Sequence, residues 1–423
     1  MSEGASGGSM QQHWHVSNYP GLLDGIQPSA SYPDIWQTLK EAEDCHLLNR
    51  YFREVSPHLW AVTAQQDAVT GYAAPTTCAS LWANPVVGQV SYAKTWLDPD
   101  NAEACGLPAE LVYNALTNPQ GVRCTLQDYM GSVFGFRSAD GFAHYPYDNV
   151  GVQYGLVALN SLQITPEQFV DLNEKVGGLD IDWNNRPQRS AADLAAIQTM
   201  YRAGLVTSGA EADKVPIIDL RGTSNYEIHT DIHSYSMRAR LQKANGHADN
   251  QVIWSSIPPL APDADATDGS VLSTPESFQL LDTWLTAIKA DTSDATLEEK
   301  VRRHKPATAV DACWIAGVKV TDMQKCRAAF PYYATPRIAA GGHVADDIVK
   351  CQLKPLDRSD YQVQFSDEQW QRLLRAFPEG VCDYSKPGVG EQPSIPWMGF
   401  AGGPAGRPLG DAPRSVSLTK NQR

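Results

Sequence analysis

Residues 4–8 read Gly4-Ala5-Ser6-Gly7-Gly8 and run straight into Ser9-Met-Gln-Gln-His-Trp-His-Val-Ser-Asn18. The pentapeptide matches G-x-S-x-G, a sharp turn that presents a serine between a strand and a helix. Its flanking positions lack side chains because two chain segments must pass close together there. A Gly/Ser-rich start also resembles a flexible linker. A linker, however, has no reason to lead at once into a helix, a tight loop and an apolar strand. Here 9–18 reads as a helix stopped by Asn18-Tyr19-Pro20-Gly21, and Leu22–Ile26 as a short buried strand ending at Pro28.

Working outward, the same rhythm resumes at Val215. V-P-I-I-D-L-R-G (215–222) is an apolar run that ends in glycine, as a buried parallel strand does. A helix follows over 232–244, closed by Asn245-Gly246. Asn250–Ser255 gives another strand, and 273–290 a long helix with Phe278, Leu281, Trp284, Leu285 and Ile288 on one face. Strand and helix in alternation predict an α/β fold with a parallel sheet. The expected organisation is an α/β-hydrolase core from 1–30 and 206–300. A mostly helical insertion over 31–205 would lie on the core, with helices at 34–53, 107–117, 165–176 and 190–204. A loop-rich region fills 301–423, with one clear helix at 366–376 whose Ser366 and Gln369 match a capping box. The Gly, Pro and Arg-rich last twenty or so residues read as a disordered or surface-wrapped tail.

The formal charge of −14, from 34 basic and 48 acidic residues, argues against a nucleic-acid partner, since no basic stripe is present to neutralise phosphates. No apolar run reaches the ~18 residues that a membrane span needs. Eight cysteines stand at 45, 78, 105, 124, 313, 326, 351 and 382, none in a C-x-x-C. Widely spaced and even in number, they fit structural disulfides and an exported protein better than zinc or redox chemistry. Proximity alone suggests Cys313–Cys326 and Cys351–Cys382. The chain shows no signal peptide, opening M-S-E-G-A-S without a basic start or apolar stretch. Loss of an N-terminal region would reconcile the two readings.

If Ser6 is a nucleophile, the N–H of Gly7 at the start of the next helix is an oxyanion donor. An acid and a histidine should come later in the chain. Residues 219–233 hold the candidates. Asp231 and His233 are the first choice, with His233 as base and the carboxylate as its orienter; Glu227 with His229 is the second. The stretch D-I-H also fits a helix cap followed by a surface histidine. His343, on the Gly-rich loop A-A-G-G-H, is an outside candidate, and His304 is the other late histidine. His13 and His15 read as packing or helix-surface residues. Two acidic stretches, Asp180-Ile-Asp182-Trp-Asn184 and Asp263-Ala-Asp265-Ala-Thr-Asp268, have oxygen ligands at alternate positions but lack the glycine and twelfth-position carboxylate of a calcium loop. No metal or cofactor is expected: there is neither a strand-linked G-x-G-x-x-G nor a phosphate loop.

The stretch G-A-S-G-G-S-M-Q-Q-H followed by N-Y-P-G-L-L-D-G-I-Q-P-S-A-S-Y-P-D resembles the nucleophile region of a bacterial family of large exported proteins. That family is a domain of unknown function among tannase-like and hydroxybutyrate-depolymerase-like α/β-hydrolases. The likeness continues through V-P-I-I-D-L-R-G, D-I-H-S-Y-S-M-R-A-R-L, D-N-Q-V-I-W, V-D-A-C-W, K-C-Q-L-K-P-L and F-P-E-G-V-C-D-Y-S-K-P-G-V. It implies an incomplete sheet, with the first strands and a second oxyanion donor in a region before the elbow. It also implies an extracellular or periplasmic setting, and a serine hydrolase acting on small or polymeric esters. A serine peptidase on the same fold and an inactive exported binding module are the competing expectations.

Overall fold

Short apolar runs bounded by turns assemble into one six-stranded sheet in the computed structural model. It describes residues 1–73, 77–78, 107–222, 225, 228–255, 274–404 and 406–410. The strands lie in chain order: β1 (Ser2–Ala5), β2 (Ile26–Ser29), β3 (Ile217–Arg221), β4 (Gln251–Ser255), β5 (Ala312–Ile315) and β6 (Val318–Val320). All neighbours pair in parallel except β5 and β6. Those two are joined by Ala316-Gly317, with φ of 51° and 78°, the two positive angles that a tight hairpin of matching twist requires. The fold is therefore α/β with a mostly parallel central sheet.

Every residue of β3 and β4 is buried, as expected of strands covered on both faces. Alternation along β3 assigns the faces. Ile217 packs with Val16 of α1 (Gly7–Asn18) and with Met237 and Leu241 of α2 (Ile232–Asn245). Ile218 and Leu220 face the other way, toward Leu281 and Trp284 of α3 (Pro275–Ala290). The C-terminus of α2 is closed by Gly246 at φ 75°, and Thr274 caps α3 with the reciprocal bonds of a capping box.

Several expectations need correction. The strand after α1 lies at 26–29, not 22–26. Leu22 is half-exposed in the turn at Gly21, whereas all four residues of β2 are buried. Pro28, read as a terminator, sits inside β2 opposite Gly4 of β1, while the pairing with β3 engages Ile26 and Ser29. No helix spans 107–117. A single 3-10 turn (Ala109–Leu111) is followed by a turn in which Asn114 Oδ1 accepts from the N–H groups of Leu116 and Thr117. Such local side-chain bonds compete with a helix. On α3 the buried face is Leu280, Leu281, Trp284 and Ile288, and Phe278 is 48% exposed. The sheet also continues beyond residue 300 through β5 and β6, so the core does not stop there.

The largest apolar cluster joins the region after β2 to the C-terminal third, with Trp36, Tyr51, Phe169, Trp183 and Met200 packed alongside Val349, Phe377 and Val381. A buried ion pair, Arg337 Nε to Asp44 Oδ2 at 2.5 Å, ties the same two regions, and Tyr147 and Tyr154 donate to that carboxylate. Disulfides link Cys45–Cys78, Cys313–Cys326 and Cys351–Cys382, the last two being the pairs suggested by proximity. Cys124 is disulfide-bonded as well; Cys105 lies outside the described residues, as do the 263–268 acidic stretch and residues 411–423. No described helix is long and apolar enough to cross a membrane.

Candidate active site

The parallel register puts the carboxyl ends of β1, β2 and β3 side by side, where open α/β sheets place their ligands. Ser6 stands at the end of β1 with φ 53° and ψ −115°, a conformation that costs a non-glycine residue about 1–3 kcal/mol. The surrounding bonds hold it there. Its N–H donates to the Ser29 carbonyl at 3.0 Å, and its own carbonyl accepts from Ser9 N (2.9 Å), Met10 N (3.1 Å) and Ser9 Oγ (2.6 Å). The turn is so tight that a Cβ on Gly4 would lie 2.9 Å from the carbonyl carbon of Gly8. Gly7 is the first residue of α1, and the leading N–H groups of a helix have no intrahelical acceptor.

The side chain of Ser6 meets a histidine: Ser6 Oγ lies 2.9 Å from Nε2 of His229. His229 comes from the loop between β3 and α2, and buried groups clamp that loop from several sides. Arg221, fully buried at the end of β3, donates from Nη2 to the His229 carbonyl and from Nε to Asp231 Oδ1 at 3.1 Å. Its Nη1 reaches the Ser31 carbonyl (3.2 Å) and Ser234 Oγ (3.3 Å). Tyr32 donates its hydroxyl to the Ile228 carbonyl and sets its ring edge-on to His229, with centroids 5.5 Å apart.

His233, the first-choice base, does not reach Ser6. One turn further on, at the start of α2, it is fully buried, and its Nε2 bonds the Glu41 carboxylate at 2.9 and 3.1 Å. Asp231 likewise serves Arg221. The second-choice histidine is therefore the one brought to the serine; its expected partner Glu227 lies outside the described residues. His343 bonds the Tyr384 carbonyl and His304 the Asp291 carboxylate at 2.7 Å, both in other parts of the structure. His13 is fully buried in α1, and burial lowers its pKa to about 3. Asp180 closes its own turn by accepting from Asp182 N and Asn184 N. Among the described residues no cluster of His, Cys, Asp or Glu could hold a metal.

A serine on a strained strand-to-helix turn, with an imidazole nitrogen at hydrogen-bond distance, is the arrangement needed to activate a hydroxyl. A family model described as a tannase-like family of unknown function (DUF6351) matches residues 1–393. The chain belongs to this family. No curated protein and no solved structure matches it. In this tannase-like family member, Arg221 and Tyr32 were not foreseen as contributors to the site, nor Glu41 as the partner of His233. Arg221 did leave a trace in the sequence: a cation at the end of an otherwise apolar buried run needs buried partners.

Proposed function

We propose that the chain is a serine hydrolase acting on carboxylic esters through an acyl-enzyme at Ser6. The 2.9 Å approach of His229 Nε2 to Ser6 Oγ carries this reading. Ser6 Oγ attacks the ester carbonyl carbon while its proton passes to His229 Nε2. The resulting oxyanion turns toward the Gly7 N–H, where the N-terminal field of α1 favours negative charge. Collapse of the intermediate expels the alcohol, protonated by His229, and leaves the acyl group on Ser6. Water, deprotonated by the same imidazole, then attacks the acyl carbon; the bond to Ser6 Oγ breaks, Oγ takes back the proton from His229, and the acid leaves. The likeness of the family to tannases supports an ester as the substrate, and the disulfides are compatible with an extracellular setting.

A fluorophosphonate probe should label the wild-type protein at Ser6 and fail on Ser6→Ala. His229→Gln should slow labelling about 10³-fold or more, as loss of a general base does, and by more than His233→Gln. Labelling that survives Ser6→Ala would refute the nucleophile, and the opposite ranking of the two histidines would return His233 to the role of base.

A further inference from the structure

Ser6 and His229 stand 223 residues apart in the chain. Each is held by its own surroundings, Ser6 by the β1–α1 turn and His229 by the loop after β3. Their 2.9 Å separation therefore depends on what fixes one piece against the other. Tyr32, just beyond the end of β2, bonds to both. Its N–H donates to Ser9 Oγ at 3.1 Å, and that hydroxyl in turn donates to the Ser6 carbonyl at 2.6 Å. Its phenol donates to the carbonyl of Ile228, the residue before His229. Ser9 and Tyr32 are buried, where a hydrogen bond meets little competition from bulk water.

Tyr32 is itself fixed on every side. Ala30, fully buried with φ 44°, turns the chain at the end of β2. Ser31 Oγ then donates to Asp219 Oδ1 (2.9 Å), and the Ser31 carbonyl accepts from Arg221 (3.2 Å), which fastens this segment to β3. The ring of Tyr32 touches two imidazoles. It meets His229 edge-on and lies against His233 with centroids 4.2 Å apart and planes 33° from parallel. His233 is anchored in turn, because its Nε2 bonds the buried Glu41, whose Oε2 also accepts from the Tyr72 hydroxyl at 2.6 Å. A side chain packed on its face and bonded at its tip is locked in one rotamer.

We propose that Ser9 and Tyr32 form a single brace that sets the distance between Ser6 and His229, with His233 and Glu41 as its backing. These are positioning residues: they act on the reacting pair through the Ser6 carbonyl and the backbone beside His229. The inference rests on the Ser6–His229 reading and adds what holds that pair together. The two bonds of Tyr32 lie in series, so cutting either one releases the brace, and cutting the second releases nothing more. A misplacement of about 1 Å costs on the order of a hundredfold in rate, so a partial release should cost about tenfold.

Ser9→Ala and Tyr32→Phe each remove one oxygen and leave the packing in place. At saturating fluorophosphonate each should label about tenfold more slowly than the wild type, with the half-saturating concentration unchanged. The double variant should also be about tenfold slower, since the two losses are one loss. A loss of about a hundredfold in the double variant would reveal two independent effects and overturn the brace, as would wild-type rates in either single variant. A second readout needs no reaction. With isotope-labelled histidine, the magnetic resonance signal of the His229 ring is identified by its absence in His229→Gln. In a Ser6→Ala background, which removes the direct bond, Ser9→Ala should still shift that signal through Tyr32; a signal that stays in place would overturn the brace. Labelling that persists in Ser6→Ala would instead overturn the catalytic reading, with the resonance comparison still deciding the brace.

Discussion

Ser6 occupies a backbone conformation that its neighbours make tolerable, and Gly4 is the least replaceable of them. A methyl group there would press on the Gly8 carbonyl carbon at 2.9 Å, backbone against backbone, with no flexible side chain to yield. Gly4→Ala should therefore cost about 1–3 kcal/mol in urea unfolding and reduce phosphonate labelling as the serine shifts. Gly7→Ala and Gly8→Ala, where a Cβ meets nothing within 4 Å, should cost less stability. His13 gives a pH signature. Folded, its pKa is pushed down to about 3 by burial first and by Arg240 second; unfolded, it titrates near 6.5. Between those values the unfolded chain binds the extra proton, so this contribution to stability is whole above about pH 6.5 and is lost as pH falls toward 3. Unfolding free energies from urea titrations should decline over that interval by up to about 1.4 kcal/mol per pH unit, and His13→Gln should flatten the decline. An equally steep profile in the variant would refute the assignment. At this scale Ser6 was legible because glycines advertise a turn. The choice between His229 and His233 was not. Both follow the same strand, and the difference lies in Glu41, a partner 192 residues away that no local spacing reveals.

Elements that carry their own signals were read closely. Caps and apolar periodicity located α1, α2, α3 and the helix Asp367–Ala376, whose Ser366–Gln369 capping box is formed. Elements defined by their neighbours were misplaced. β2 owes its strand character to β1 and β3, and its proline hid it; the β5–β6 hairpin turns on a single Ala-Gly pair. The described residues of the loop between β3 and α2 form no strand or helix and are held by contacts from outside the loop. One of these is the Cys45–Cys78 disulfide, which packs with Ala42 and Tyr72 against Ile228, next to His229. Adjacent Thr77 donates to the Asn225 carbonyl at 3.2 Å. Replacing both cysteines by serine should slow phosphonate labelling about tenfold while the far-UV circular dichroism stays unchanged. Wild-type labelling rates in that variant would show that the loop holds the imidazole without help.

For the whole molecule, the alternation of strand and helix sufficed to predict a mostly parallel α/β sheet. Two things were not visible along the chain. The sheet gains β5 and β6 beyond residue 300, because short strands in loop-rich sequence lack periodicity. The helical region after β2 and the C-terminal third share one apolar core and the buried Asp44–Arg337 pair, a union made by contacts across hundreds of residues. The disulfides contrast with that long-range core. Eight cysteines could pair in 105 ways, yet the three bonds between described cysteines close spans of only 33, 13 and 31 residues, each joining neighbours in the order of cysteines along the chain. During biosynthesis each of these thiols thus meets its partner before the next pair emerges from the ribosome. Oxidation in order of synthesis already yields these three native pairs, with little need for an isomerase to reshuffle them.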